Sequence, residues 1–244
     1  MRNFAFIGLG PLAMGMLESI AEVTDQIVVI DRDAQRIDRV KDLVRTAYVA
    51  DVLDEESLQR ILPEAVDVAI VDIPSDMEAS LMVVHRLKKL GVAEIIVKAD
   101  SDERSEILKV IGATRVVNSD REAAARIVPM ALSTTLYNFI PIGGELVMAE
   151  VLVPATFVGR TIIEADLRSK AGVNVVAIRE EHSQTYRSFG RDYRLLATDV
   201  LLVAGTEDDI FSFSDVPHSR PQKKKPRAIG AILKTLFKPG KTRH

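Results

Sequence analysis

The stretch Asn3-Phe4-Ala5-Phe6-Ile7-Gly8-Leu9-Gly10-Pro11-Leu12-Ala13 decides the fold. Asn3–Ile7 is a short apolar run ending at glycine and reads as a buried strand. From Pro11 to Ala21, Leu12, Met16, Leu17 and Ile20 recur at helical spacing. A strand, a glycine-rich turn and a helix in that order open a nucleotide-binding βαβ unit.

Outward from this unit the alternation continues. Ile27–Ile30 is a β-branched run closed by Asp31; Asp33–Leu43 reads as a polar helix, Ala47–Ala50 as a short strand and Glu55–Ile61 as a helix. Val66–Asp72 and Glu94–Lys98 are apolar strands flanking a long helix, Ser75–Leu90. Arg104–Ile111 is a further helix and Thr114–Asn118 a last strand. Strands apolar throughout, alternating with helices, require a parallel sheet covered on both faces. Right-handed crossovers make that sheet doubly wound, so the expected class is α/β, Rossmann-like.

After Asp120 the pattern changes. Glu122–Phe139 reads as a helix broken only by Pro129. Gly143–Val153 and Gly172–Arg179 alternate or run apolar, Asp199–Gly205 is a tight β run, and a short helix falls near Ile163–Ser169. Pro154, Gly159 and Gly190 supply turn signals between them. The expected organisation is a nucleotide-binding domain over 1–120, a connecting helix over 121–140, a small α+β domain over 141–212, and a basic linker and tail over 213–244.

Composition narrows the function classes. The absence of cysteine excludes disulfides and thiolate chemistry and fits a reducing compartment. Glycine and proline interrupt the N-terminal apolar run at once, against a signal peptide. No run of about 18 apolar residues is present to span a bilayer. The expectation is a cytoplasmic protein, with any membrane role peripheral. Net charge is −3, but from Val216 to His244 there are nine Lys/Arg and no acid, which leaves 23 basic against 35 acidic residues elsewhere. An acidic body with a basic tail argues against nucleic acid as the main ligand.

The turn carries the chemistry. Gly8 permits its tightness, Gly10 lets a phosphate approach the backbone, and Ala13 is small enough for helix–sheet packing. Free N–H groups at the start of the helix, around Pro11 and Leu12, would hold phosphates. Asp31, ending the second strand, can accept hydrogen bonds from a ribose diol, and its charge argues against the 2′-phosphate of an NADP-type ligand. Asp51, after the third strand and beside Val52, can reach adenine or ribose, or can serve a helix start.

Phe6-Ile7-Gly8-Leu9-Gly10, Val29-Ile30-Asp31-Arg32-Asp33 and Ala50-Asp51-Val52-Leu53-Asp54 together resemble the RCK/KTN family, the regulatory subunits of Trk- and Ktr-type potassium transporters. Leu90-Gly91-Val92 with Ile95-Ile96-Val97-Lys98-Ala99, and Ile107–Val117, are similar to the family's later crossings. Val158-Gly159-Arg160-Thr161-Ile162, Gly172–Ile178 and Thr198–Gly205 look like its C-terminal module, so the resemblance covers 1–212. It implies a nucleotide-binding homo-oligomeric ring, usually an octamer, docked under a membrane potassium-transporter subunit. ATP, ADP or NAD(H) would bind at Gly8, Gly10, Pro11, Leu12, Asp31, Arg32, Asp51 and Val52. Lys98 matches a lysine near the ligand, and Asp120 falls where relatives carry an acid reaching toward a neighbouring subunit's phosphates. Cyclic di-AMP, bound by the C-terminal module of some relatives, would meet Arg168, Asn174 and Val175. The chain departs from the family where many members place an arginine directly after the second glycine: here it is Pro11, which costs a phosphate-pairing guanidinium.

In the tail, Lys223-Lys224-Lys225-Pro226-Arg227 leads into a segment whose Ile229, Ile232, Leu233, Leu236 and Phe237 form one helical stripe beside lysines. A basic amphipathic helix suits an anionic membrane surface or a partner groove. No nucleophile elbow or metal spacing occurs, and the four histidines, His85, His182, His218 and His244, form no cluster. The reading is a ligand-gated regulator and not an enzyme; the alternative is a small NAD(H)-dependent oxidoreductase.

Overall fold

The computed structural model describes residues 1–53, 60–62, 66–74 and 76–217. The helix expected over Glu55–Ile61 and the amphipathic tail lie largely or wholly outside the described residues. The chain divides after Ala124 into two compact units.

The first unit runs β1 (Phe4–Ile7), α1 (Pro11–Ala21), β2 (Ile27–Asp31), α2 (Ala34–Val40), β3 (Thr46–Val49), β4 (Val68–Val71), α3 (Met77–Lys89), β5 (Glu94–Lys98), α4 (Asp102–Ile111) and β6 (Arg115–Val117). All pairings are parallel, in the order β3-β2-β1-β4-β5-β6, with Phe4 opposite both Ile27 and Val68. The sheet is covered on both faces. Ala5, Ile7, Val28, Ile30, Ala69, Val71 and Ile95 pack with Val83, Val84 and Leu87 of α3 and Leu108 of α4. Phe6, Ile27, Val29, Val68 and Ile70 pack with Ala13 and Leu17 of α1 and with Ile37 and Val40 of α2. Double coverage is why the strands carry no polar alternation.

Strand order reverses between β1 and β4, so the chain leaves the sheet in opposite directions at Gly8 and Asp72. In an open α/β sheet that divergence is where ligands bind. Three helix starts nearby are capped by side chains: Asp33 accepts from the Gln35 N–H, Asp76 from Ala79 and Ser101 from Arg104. The start of α1 is different, because its N-cap is Gly10 and its first residue is Pro11.

The chain passes from the first unit to the second through α5 (Ser119–Ala131). The second unit holds β7 (Leu136–Gly143), β8 (Leu146–Leu152), α6 (Ile162–Ala165), α7 (Leu167–Ala171), β9 (Asn174–Glu180), β10 (Asp199–Thr206) and α8 (Glu207–Phe213). Its sheet is antiparallel, in the order β7-β8-β10-β9. Phe139, Val147, Val151, Ile178, Leu201, Val203 and Ile210 are the centre of its core.

Two sequence expectations need correction here. The helix expected over Glu122–Phe139, and with it a connecting helix reaching residue 140, ends at Ala131; Leu136–Phe139 belong to β7. A register shift between Leu136 and Asn138 brings Leu136 and Phe139 to the buried face three residues apart, a spacing that imitates a helix. The Asp215 carboxylate then holds the intervening turn, accepting from the N–H groups of Thr134 and Thr135 at 3.0–3.2 Å and from the hydroxyls of all of Ser133, Thr134 and Thr135. The second correction is α8, which the sequence reading passed over. Thr206 caps it, accepting from the Asp209 N–H, and it buries Ile210 and Phe213.

Candidate nucleotide site

The glycine turn is tight because its surroundings leave no room for side chains. Gly8 has φ +80°, and a Cβ there would fall 2.4 Å from the Asp72 carbonyl oxygen. Gly10 has ordinary extended backbone, but a Cβ there would fall 2.2 Å from the Asp72 carboxylate. One glycine answers to backbone geometry and the other to close approach.

Asp31 is 4% exposed and stands behind the turn. Its Oδ2 accepts from the Leu9 N–H at 2.6 Å and its Oδ1 from the Asp33 N–H at 2.8 Å. The Arg36 guanidinium lies 3.5 Å from Oδ2. The carboxylate expected to meet a ribose thus also fixes the turn, with acceptor capacity left over, since two carboxylate oxygens offer about four lone-pair sites.

Gly8, Asp31, Arg32, Asp51 and Val52 line one cavity of about 180 Å³, together with Asp33, Arg36, Ala50, Leu53, Ile73, Pro74, Asp76 and Ala79. Asp51 is exposed, and its Oδ1 accepts from the Leu53 N–H at 2.9 Å. Pro11 and Lys98 line a neighbouring cavity with Asp72, Asp76, Asp100 and Arg104. Arg104 is paired to Asp100 at 2.5 Å. Leu12 lines neither cavity, and its N–H donates to the Asp72 carboxylate. Asp120 lies exposed in the first turn of α5 and lines neither cavity.

The residue that sequence reasoning missed is Asp72. It follows β4, is 3% exposed, and its Oδ2 accepts from the N–H groups of Leu12 and Ala13 at 3.0 and 3.1 Å. The signal was available: an acid directly after an apolar strand, next to the strand that carries the glycine turn. Arg36, at the first cavity, and Arg104, at the second, were not singled out either.

In the second unit, Arg168 and Asn174 are exposed and Val175 packs partly into the core. A larger polar cluster lies elsewhere on that sheet. Arg179, with its side chain 8% exposed, donates to Glu150 through Nε at 3.1 Å and Nη2 at 2.5 Å, and through Nη1 to three backbone carbonyls. Burial pushes the Glu150 carboxyl up, but hydrogen bonds from Tyr186 and Arg179 outweigh it and hold the group below its ordinary range.

Residues 4–119 match the TrkA-N domain and residues 146–216 the TrkA-C domain. The chain belongs to the RCK/KTN family. It is 28% identical over 212 residues to the Ktr system potassium uptake protein C of Bacillus subtilis (strain 168), covering 87% of this chain and 96% of that protein. It is 24% identical over 209 residues to the Ktr system potassium uptake protein A of Vibrio alginolyticus, covering 86% and 94%. Among solved structures, the GsuK channel superposes with a TM-score of 0.61 at 19% identity, over 89% of this chain and 40% of that one. The GsuK channel bound to NAD gives 0.59 at 19% identity, over 98% and 45%. The chain spans less than half of those longer proteins, and the likeness is one of fold.

Proposed function

We propose that this chain is the regulatory subunit of a membrane potassium-uptake system and responds to an adenine nucleotide or NAD(H) through its first unit. The observation that carries the reading is the cavity at the strand-order reversal, where Gly8, Asp31 and Asp51 converge as ribose- and adenine-facing groups in a chain that matches Ktr proteins nearly end to end. Asp31 and Asp51 suit the nucleoside half of such a ligand. Lys98 offers a cation in the adjoining cavity.

A regulator of this kind acts by differential affinity: the ligand binds one arrangement of the assembly better than another, and that difference moves the attached membrane subunit. Self-assembly into a ring is part of the proposal. Ile127 and Val128 of α5 and the following Leu132 are each more than half exposed, an apolar strip suited to burial against another copy. Among the described residues no helix is long and apolar enough to cross a membrane; the proposal assigns the pore to a partner subunit.

The test is growth of a potassium-uptake-deficient bacterial host at limiting potassium. The host carries the membrane transporter subunit from the same source, with or without this chain. Growth that requires both supports the proposal; growth with the membrane subunit alone, unchanged by this chain, contradicts it.

A further inference from the structure

Nucleotide folds of this type hold a ligand's phosphates on the N–H groups that open the first helix, with a glycine allowing close approach. Here both provisions are already taken. Asp72 Oδ2 sits at 3.0 Å from the Leu12 N–H and 3.1 Å from the Ala13 N–H. The space a Cβ at Gly10 would fill is closed by that same carboxylate, 2.2 Å away. The remaining turn donors are spoken for too: Gly8 donates to the Ile30 carbonyl, Leu9 to Asp31 and Gly10 to the Asp72 carbonyl. Pro11 brings no N–H.

We propose that Asp72 is the specificity-determining residue of this site: its carboxylate stands in for a phosphate at the start of α1, so that the site favours adenosine-type ligands and discriminates against a pyrophosphate. This rests on the nucleotide reading above and restricts it. A second anion on the same two donors would meet a like charge at hydrogen-bond range with no water between. The lining does not compensate. Around the second cavity Asp72, Asp76 and Asp100 face Lys98 and Arg104, and Arg104 already pairs with Asp100. The first cavity, beside Asp72, remains open to a nucleoside.

The experiment is isothermal titration of the full-length wild type, Asp72→Ala and Asp72→Asn with ADP and, separately, adenosine. Asp72→Asn keeps an oxygen acceptor for the helix start and guards against a folding failure of Asp72→Ala. The expected result is ADP affinity at least tenfold higher in Asp72→Ala than in wild type, a smaller gain in Asp72→Asn, and adenosine affinity within twofold in all three. Unchanged or weaker ADP binding in both variants overturns the proposal. If wild type itself binds ADP as tightly as Asp72→Ala, the proposal falls while the nucleotide-sensing reading stands. If no variant binds either compound, both fall together.

Discussion

Gly10 and Asp72 are fitted to each other: the glycine of the turn has no strained backbone, and its missing side chain makes room for the Asp72 carboxylate, which would lie 2.2 Å from a Cβ. The pair closes the start of α1 in the way that capping residues close α2, α3 and α4, except that the cap arrives from a strand sixty residues away.

This relationship is testable as a double-mutant cycle. Gly10→Ala forces Asp72 off the Leu12 and Ala13 N–H groups and should cost about 1–2 kcal/mol, the worth of a lost cap. In an Asp72→Ala background the clash is gone, so the same substitution should cost less than half as much. Urea unfolding midpoints of the four proteins give the coupling. Additive costs would mean that the two residues do not share the space.

Asp31 has a structural duty as well as a proposed ligand. Asp31→Ala leaves the buried Leu9 N–H without its acceptor and should destabilise the first unit by about 1–3 kcal/mol. Asp31→Asn retains an oxygen for one donor and should cost less, while still weakening adenosine binding at least fivefold. Thermal melts separate the first effect from titration of the second.

Legibility from sequence divided along similar lines. The βαβ alternation, the bounds of α1 and β5, those of β2 and β10 to within one residue, and the doubly wound class were readable, because double burial leaves long apolar runs and glycine marks the turn. Gly8, Asp31 and Asp51 line the first cavity and Pro11 and Lys98 the second, whereas Gly10 lines neither. Asp72 was read only as the end of a strand, since nothing local shows that its side chain reaches back to residues 12 and 13. β7 was taken for helix because its register shift sets Leu136 and Phe139 at a helical spacing. Both misses come from partners distant in sequence: Asp72 for α1, Asp215 for the turn before β7.

The Arg179–Glu150 pair is mostly buried and fully hydrogen-bonded, so removing one partner strands the other. Glu150→Ala should destabilise the second unit by about 3 kcal/mol. Differential scanning calorimetry checks this. A loss below 1 kcal/mol would show that the pair contributes no more than an exposed one.

Asp215 gives the second unit an acid-sensitive clasp. Burial raises its pKa, but the hydrogen bonds from Ser133, Thr134 and Thr135 prevail and hold the carboxyl well below its ordinary range. A depressed folded value means the stabilisation is complete above about pH 4, the unfolded carboxylate range, and is lost as pH falls toward the folded value. Asp215→Asn should be less stable than wild type by about 1 kcal/mol at pH 7, a modest figure because the group is exposed. The gap should narrow progressively below pH 4. A gap independent of pH would contradict the clasp.

The most direct test of the central claim is rubidium influx into proteoliposomes that hold the cognate membrane subunit with the full-length chain added on the outer face. The account predicts that the chain changes the influx rate, that adenosine-type ligands shift that rate at concentrations matching their titrated affinity, and that Asp31→Ala abolishes the shift without releasing the chain from the vesicles. Influx identical with and without the chain, across adenosine, ADP, ATP, NAD and NADH, would contradict it.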